Sequence, residues 1–226
     1  MKKILVLSVI ASMLFVSCKT AAPIAKSVAY KGMYDENPIT ILIMPPINHT
    51  TNVEAKEYFH STLNIPLDNY GWYVIPPLMS MEILKRESAY DSEMFLDAPL
   101  NKFGEVFGAD LVLFTIINKW NKSSIASRVT VEIEYIVKST KTNQIVYKRK
   151  GTVRYDASVS TGMGFVANMV ASVASTAATS YIDVARVCNS YTFKDIPAGK
   201  YSPNYNLDQN LPSDKPDFNV SLNSKY

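Results

Sequence analysis

The chain has two histidines, His49 and His60, and His60 follows Glu57 by three residues. On a helix that spacing puts Glu57 and His60 on one face, the beginning of a metal site. A metal asks for three or four converging ligands, so the pair reads as a solvated helical couple. Glu132 and Glu134 lie two apart and could imitate the paired acids of a glycoside hydrolase, but the alternation around them describes the wet face of a strand. Gly162-Met-Gly164 lacks the third glycine and the preceding strand–helix–strand unit of a dinucleotide loop; it suits a flexible helix entry. A Gly-x-Ser-x-Gly nucleophile elbow does not occur. Trp72 and Trp120 could stack on sugars or sit among lipid headgroups. Trp72 opens a buried strand and is expected in the core, which leaves Trp120 as the surface contact candidate. No catalytic set, metal site or cofactor site follows, and the chain is not expected to be an enzyme.

Cys18 carries a different chemistry. Lys2 and Lys3 precede an almost wholly apolar run, Ile4 to Val16, and then small Ser17. That is the layout of a secretory signal over residues 1–17, and the run is too short to span a membrane. Phe15-Val-Ser-Cys18 resembles the lipobox of bacterial lipoproteins, with Phe15 in place of the commoner Leu. The resemblance implies cleavage before Cys18, diacylglycerol on its sulfur and a palmitate-bearing amino terminus. Several acyl chains at one terminus anchor stably where one is marginal. Lys19 follows the Cys, with no acidic run. The resemblance therefore points to the outer membrane of a Gram-negative bacterium, with the body facing the periplasm. Cys188, the only other cysteine, is left without a disulfide partner and reads as a buried, inert thiol.

Length and charge narrow the class. A chain of 226 residues, 47% apolar, can bury one sizeable core. Its formal charge of +3 falls to +1 once Lys2 and Lys3 are removed, which gives no reason to expect nucleic acid as a partner.

The elements are organised around Leu111 to Ile117, apolar except for Thr115. A short run of that kind is a strand buried on both faces. Residues 18–37 read as a lipidated tether. Ile39 to Met44 is a strand stopped by Pro45-Pro46. Thr51-x-x-Glu54 fits a capping box, and Ala55, Phe59, Leu63 and Leu67 share a helix face that Pro66 should kink or restart. Gly71 closes that element, and the strand Trp72–Ile75 follows. A helix over Leu78–Arg86 should turn Met79, Ile83 and Leu84 inward, and one after Pro99 should bury Leu100, Phe103, Val106 and Phe107. From Arg128 the period is two: Val129, Val131, Ile133, Tyr135 and Val137 face one way. A turn at Thr140–Asn143 returns the chain, with Ile145, Tyr147, Val153 and Tyr155 inward. The expected fold class is α/β, a three-layer-like sandwich of a mixed sheet of about five strands with covering helices and a three-strand meander. The last helix should run from Phe165 to Cys188. No charge lies between Asp156 and Asp183, but five Ser or Thr among the nine residues 172–180 argue against a membrane span. Its second side, with Ala171, Ser175, Ala178 and Ile182, could meet another copy. The single domain then covers 38–203, and 204–226 reads as a disordered or loosely packed tail.

Several blocks together resemble a family of bacterial lipoproteins whose body is similar to the amino-terminal domain of the translocation protein TolB. They are Ser61-Thr-Leu-x-x-Pro-Leu-x-x-x-Gly71-x-Tyr-Val-x-Pro76, Phe107-Gly-Ala-Asp-Leu-Val-Leu113, Trp120, the strand–turn–strand with Thr142 and Tyr147, and Ile196-Pro-Ala-Gly-Lys-Tyr-Ser-Pro203. The resemblance covers roughly Pro38 to Pro203. It implies a TolB-like fold shared with curli-secretion and exopolysaccharide-export lipoproteins, and it brings no catalytic residues. The expected role is a non-enzymatic subunit or accessory of an envelope secretion or transport assembly. Its partners would be the membrane, other envelope lipoproteins or secretion components, and further copies of the chain. A periplasmic glycan- or protein-binding module, using Trp120 and the exposed face of the meander, is the alternative.

Overall fold

A computed structural model describes residues 23–123, 128–156 and 181–223. The expected signal segment, Cys18 and the expected helix before Tyr181 lie outside them. The described residues form one seven-stranded mixed sheet ordered β3-β1-β4-β5-β6-β7, with β2 also paired to β4. Its strands are β1 (Thr40–Ile43), β2 (Ile47–Asn48), β3 (Tyr73–Val74), β4 (Leu111–Ser123), β5 (Arg128–Ser139), β6 (Ile145–Asp156) and β7 (Asp217–Asn223). Only β5 runs against the others.

The organising run sits where its composition demands. Leu111, Val112, Leu113, Phe114, Thr115 and Ile117 have no exposed surface. Leu111, Leu113 and Ile117 join the core on one side of the sheet, and Val112 and Phe114 join the other. Asp110 stands at the mouth of β4, accepting hydrogen bonds from the backbone N–H of Ile39 (2.9 Å) and Thr40 (3.2 Å). These bonds, with Lys141 nearby, outweigh partial burial and hold its carboxyl below the ordinary range. Gly108, at φ +65°, closes the helix before it.

Among the described residues eight helical stretches accompany the sheet: α1 (Lys26–Ala29), α2 (Lys31–Glu36), α3 (Ala55–Thr62), α4 (Asn64–Asn69), α5 (Pro77–Arg86), a 3-10 turn (Ser92–Phe95), α6 (Asn101–Phe107) and α7 (described from Tyr181 to Phe193). Phe59, Leu63 and Leu67 are fully buried, and the helix restarts at Asn64 just before Pro66. On β5 all five alternating residues from Val129 to Val137 are buried.

Several expectations need correcting. Within the tether drawn over 18–37, α1 and α2 are packed in place, with Tyr30 and Met33 in the core. The tail drawn over 204–226 is structured through Asn223, its described part: Asp208 is buried and β7 pairs in parallel with β6. Thr51 forms no cap; Asn48, Thr50 and Asn52 bond among themselves instead. Met79 and Val106 are exposed, and Ile83 is half-buried. The pairing of β5 with β6 slips by one residue between Val137 and Lys138. That bulge turns Val146 inward and leaves Ile145 exposed.

Candidate functional site

The most unusual chemistry in the fold is a set of buried charges joining the two ends of the body. Lys26, on α1, is 7% exposed, and its Nζ lies 3.7 Å from Asp195 Oδ1 and 3.8 Å from Asp208 Oδ2. Both carboxylates are buried and each collects further donors. Asp195 accepts from Tyr30 Oη and from the backbone N–H of Asp214 (2.9 Å). Asp208 accepts from Tyr34 Oη (3.0 Å) and from the N–H of Ala198 (2.9 Å). Burial, reinforced by these carboxylates, pushes the Tyr30 and Tyr34 phenols up, so both stay protonated donors. Beneath them Arg149 is 1% exposed. It donates to the carbonyl of Thr192 (2.8 Å), reaches Asp214 (3.4 Å) and packs on the Phe218 ring. Buried charges are tolerable only when paired and hydrogen-bonded in this way. The chemistry the cluster performs is fastening: every charge faces a partner.

Above this clasp lies an open groove of about 590 Å³, walled by Ile24, Tyr30, Ile145, Val146, Lys148 and Lys215 among others. Its mouth is apolar, with Ile24 and Ile145 each about half exposed; exposed Lys215 and Asp214, which Arg149 and Lys194 hold, also line it, and Lys148 in the lining reaches to Glu134 (2.7 Å). Pro23, which also lines it, is the residue through which the chain leads back toward Cys18.

The residues singled out by type and spacing do not gather here. Trp120 is not a surface residue: it is 7% exposed, edge-on to Phe59 and Tyr181. β4 runs to Ser123, so Trp120 sits within the strand and on its core face. Trp72 is buried as expected and donates to the carbonyl of Pro197 (3.0 Å). His60 is buried on α3, where desolvation lowers its pKa; His49 is exposed beside Glu93 (3.5 Å). Among the described residues no group of three His, Cys, Asp or Glu could hold a metal. Glu132 and Glu134 pair with Lys119 (3.1 Å) and Lys148 (2.7 Å) on the open face of the meander. Cys188 is fully buried, and burial pushes its thiol up. Cys18, Gly162 and Gly164 lie outside the described residues.

Arg149 was detectable and missed. Alternation through Tyr147, Arg149, Gly151, Val153 and Tyr155 places it on the inward face. Lys26, Asp195 and Asp208 left no such mark, because the lysine and its partners come from opposite ends of the chain.

The family blocks meet in space. The N–H of Gly199 donates to the carbonyl of Tyr70 (2.8 Å), and that of Tyr201 to Gly71 (2.9 Å). Gly71 has φ +80°, and a Cβ there would stand 2.2 Å from the Ser202 nitrogen, so the two blocks dock only on glycine.

The chain is similar to several known proteins. "Putative lipoprotein NMB1124/NMB1162" of Neisseria meningitidis serogroup B (strain ATCC BAA-335 / MC58) is 22% identical over 156 residues, 68% of this chain and 72% of that protein. The crystal structure of lipoprotein GNA1162 from Neisseria meningitidis superposes with a TM-score of 0.49 at 21% identity, covering 60% of this chain and 95% of that one. A PelC dodecamer from Paraburkholderia phytofirmans gives a TM-score of 0.42 at 12% identity, covering 69% and 86%. The family model described as "Putative lipoprotein GNA1162-like" matches residues 28–198. That match spans well over half of the sequence, and the chain belongs to the GNA1162-like family.

Proposed function

We propose that this protein is a periplasm-facing outer-membrane lipoprotein, held by acyl chains on Cys18, that serves as a non-enzymatic subunit or accessory of an envelope secretion or transport assembly. The observation that carries the reading is membership of a lipoprotein family in a chain whose secretory-type signal ends on Cys18. The described charged clusters support it, since the buried ones are consumed in mutual pairing. Self-association through the uncharged stretch between Asp156 and Asp183 belongs to the same proposal. Sedimentation of the acyl-free body beside Ala178→Glu tests it, and a wild-type body that stays monomeric at high micromolar concentration removes it.

The anchoring is tested by labelled palmitate and membrane fractionation of wild type and Cys18→Ala. Wild type should carry label and fractionate with the outer membrane, and the variant should carry none. A labelled variant overturns the lipobox assignment. Crosslinking in intact cells with mass spectrometry then reads the role: recovered secretion or transport components support it, and envelope enzymes of unrelated pathways would redirect it.

A further inference from the structure

We infer that the groove beside Pro23 docks on the leaflet that holds the protein's own anchor, so the body lies against the membrane in one fixed orientation. The inference rests on acylation of Cys18. Its first ground is length. Ile24 is already pinned, its carbonyl accepting from the N–H of Ser213 (2.8 Å). From Cys18 to Pro23 the chain can extend by roughly 17 Å at about 3.3–3.6 Å per residue. Part of that reach is spent in the headgroup layer, which adds about 5–8 Å to each side of a bilayer core. The groove, which Pro23 itself lines, is held within a short distance of the lipid surface. A leash this short keeps the local concentration of that surface in the millimolar range, so a weak contact is enough to hold the docked state.

The second ground is the chemistry of the mouth. Half-exposed Ile24 and Ile145 stand with exposed Lys215, while Lys148 is turned to Glu134 (2.7 Å) and Asp214 is held by Arg149 and Lys194. Apolar side chains that sink to the acyl boundary beside a lysine that meets phosphates are what an interfacial contact requires. The fold then fixes what faces away. β1, β4 and β6 run in the same direction, and the groove lies where β6 begins, at Ile145. Val53, 83% exposed, follows β2, whose Asn48 is level with Ile117, whereas Ile145 is level with Val112 through Lys138, so Val53 lies toward the other end of the sheet. Docking at the groove points that end into the periplasm.

The test uses the full acylated protein with an environment-sensitive fluorophore on Ile145→Cys or, as control, Val53→Cys; buried Cys188 stays unlabelled. The protein is reconstituted into phosphatidylethanolamine–phosphatidylglycerol vesicles containing a headgroup nitroxide lipid. Quenching is expected at position 145 and not at 53. It should persist when about twenty Gly and Ser residues, spanning about 25 Å on average, are inserted before Pro23. In that long-leash form Ile24→Glu with Lys215→Glu should abolish it. Equal quenching at both positions, or none at either, overturns the inference. So does a blue shift at 145 without quenching, which would mean that the anchor's own acyl chain fills the groove. Quenching that tracks protein density would assign the groove to a second copy and also overturn it. A protein whose mass lacks acyl chains fails earlier, at Cys18, and that failure is separately visible.

Discussion

Replacing Lys26 by Met keeps the stem of the side chain and removes its charge from between Asp195 and Asp208. Those two carboxylates are only 5% and 7% exposed as side chains, so water cannot replace the lost cation. Stripping one partner from a buried ion pair costs about 3–5 kcal/mol. The lower end applies here: Lys26 stands 3.7 and 3.8 Å away, and each carboxylate keeps two other donors. A loss of about 3 kcal/mol in a body of this size, at about 2–4 °C per kcal/mol, lowers the melting temperature by about 6–12 °C. Calorimetry of the acyl-free body measures it. Lys31→Met is the control, since its partner Asp35 is on the surface and both side chains are more than half exposed; exposed pairs contribute little. Adding Asp208→Asn to Lys26→Met should return part of the loss, because one of the two stranded charges goes with it. Amides of α1 and α2 should also exchange faster in Lys26→Met. A variant that melts within about 2 °C of wild type would refute the reasoning, and the charges would then be ornament on a fold held by its apolar core.

The remaining predictions concern the core and its closures. Leu113→Asp puts a charge at a position with no exposed surface and should cost several kcal/mol, roughly enough to abolish cooperative melting; an unchanged melting curve would mean β4 is not central. Burial lowers the pKa of His60, so its neutral form belongs to the fold. Stability should hold above the unfolded value of about 6.5 and fall as pH drops below it toward the folded value, because the unfolded chain gains a proton that the fold resists. His60→Leu should flatten that slope, and parallel melting-against-pH curves for the two proteins would disprove it. Gly108 and Gly71 both have positive φ, but a Cβ at Gly108 meets nothing within 4 Å while one at Gly71 strikes Ser202. Gly108→Ala should cost about 1 kcal/mol; Gly71→Ala should cost more, beyond the roughly 1–3 kcal/mol of a strained backbone. Chemical denaturation of both variants decides the order, and equal losses would deny the clash.

Legibility in the sequence followed the range of the physics involved. The two-faced strand at Leu111–Ile117 and the one-faced alternation from Val129 to Val137 are local patterns, and both appear in the structure as read. The turn expected at Thr140–Asn143 is present, with Asn143 in the left-handed backbone. Errors came where a distant partner decides. Residues 26–36 have no sustained period and look like linker; what orders them is Asp195 and Asp208, supplied from the far end of the chain. The segment after Pro203 looks too polar to fold. It folds because Asp208 caps Ala198 and β7 finds the free edge of β6, where Phe218 lies over Gly151. Ile145 was misplaced by a single-residue bulge that alternation alone cannot show. Trp120 was misplaced because β4 continues through Ser123, beyond the apolar run Leu111–Ile117 that marked it in the sequence. The errors at the two termini bear directly on function. The ordered amino-terminal helices carry the folded body as far toward the expected anchor as Ile24, and the ordered carboxy-terminal segment supplies what holds them there, through Ser213 on the Ile24 carbonyl and Asp208 beside Lys26.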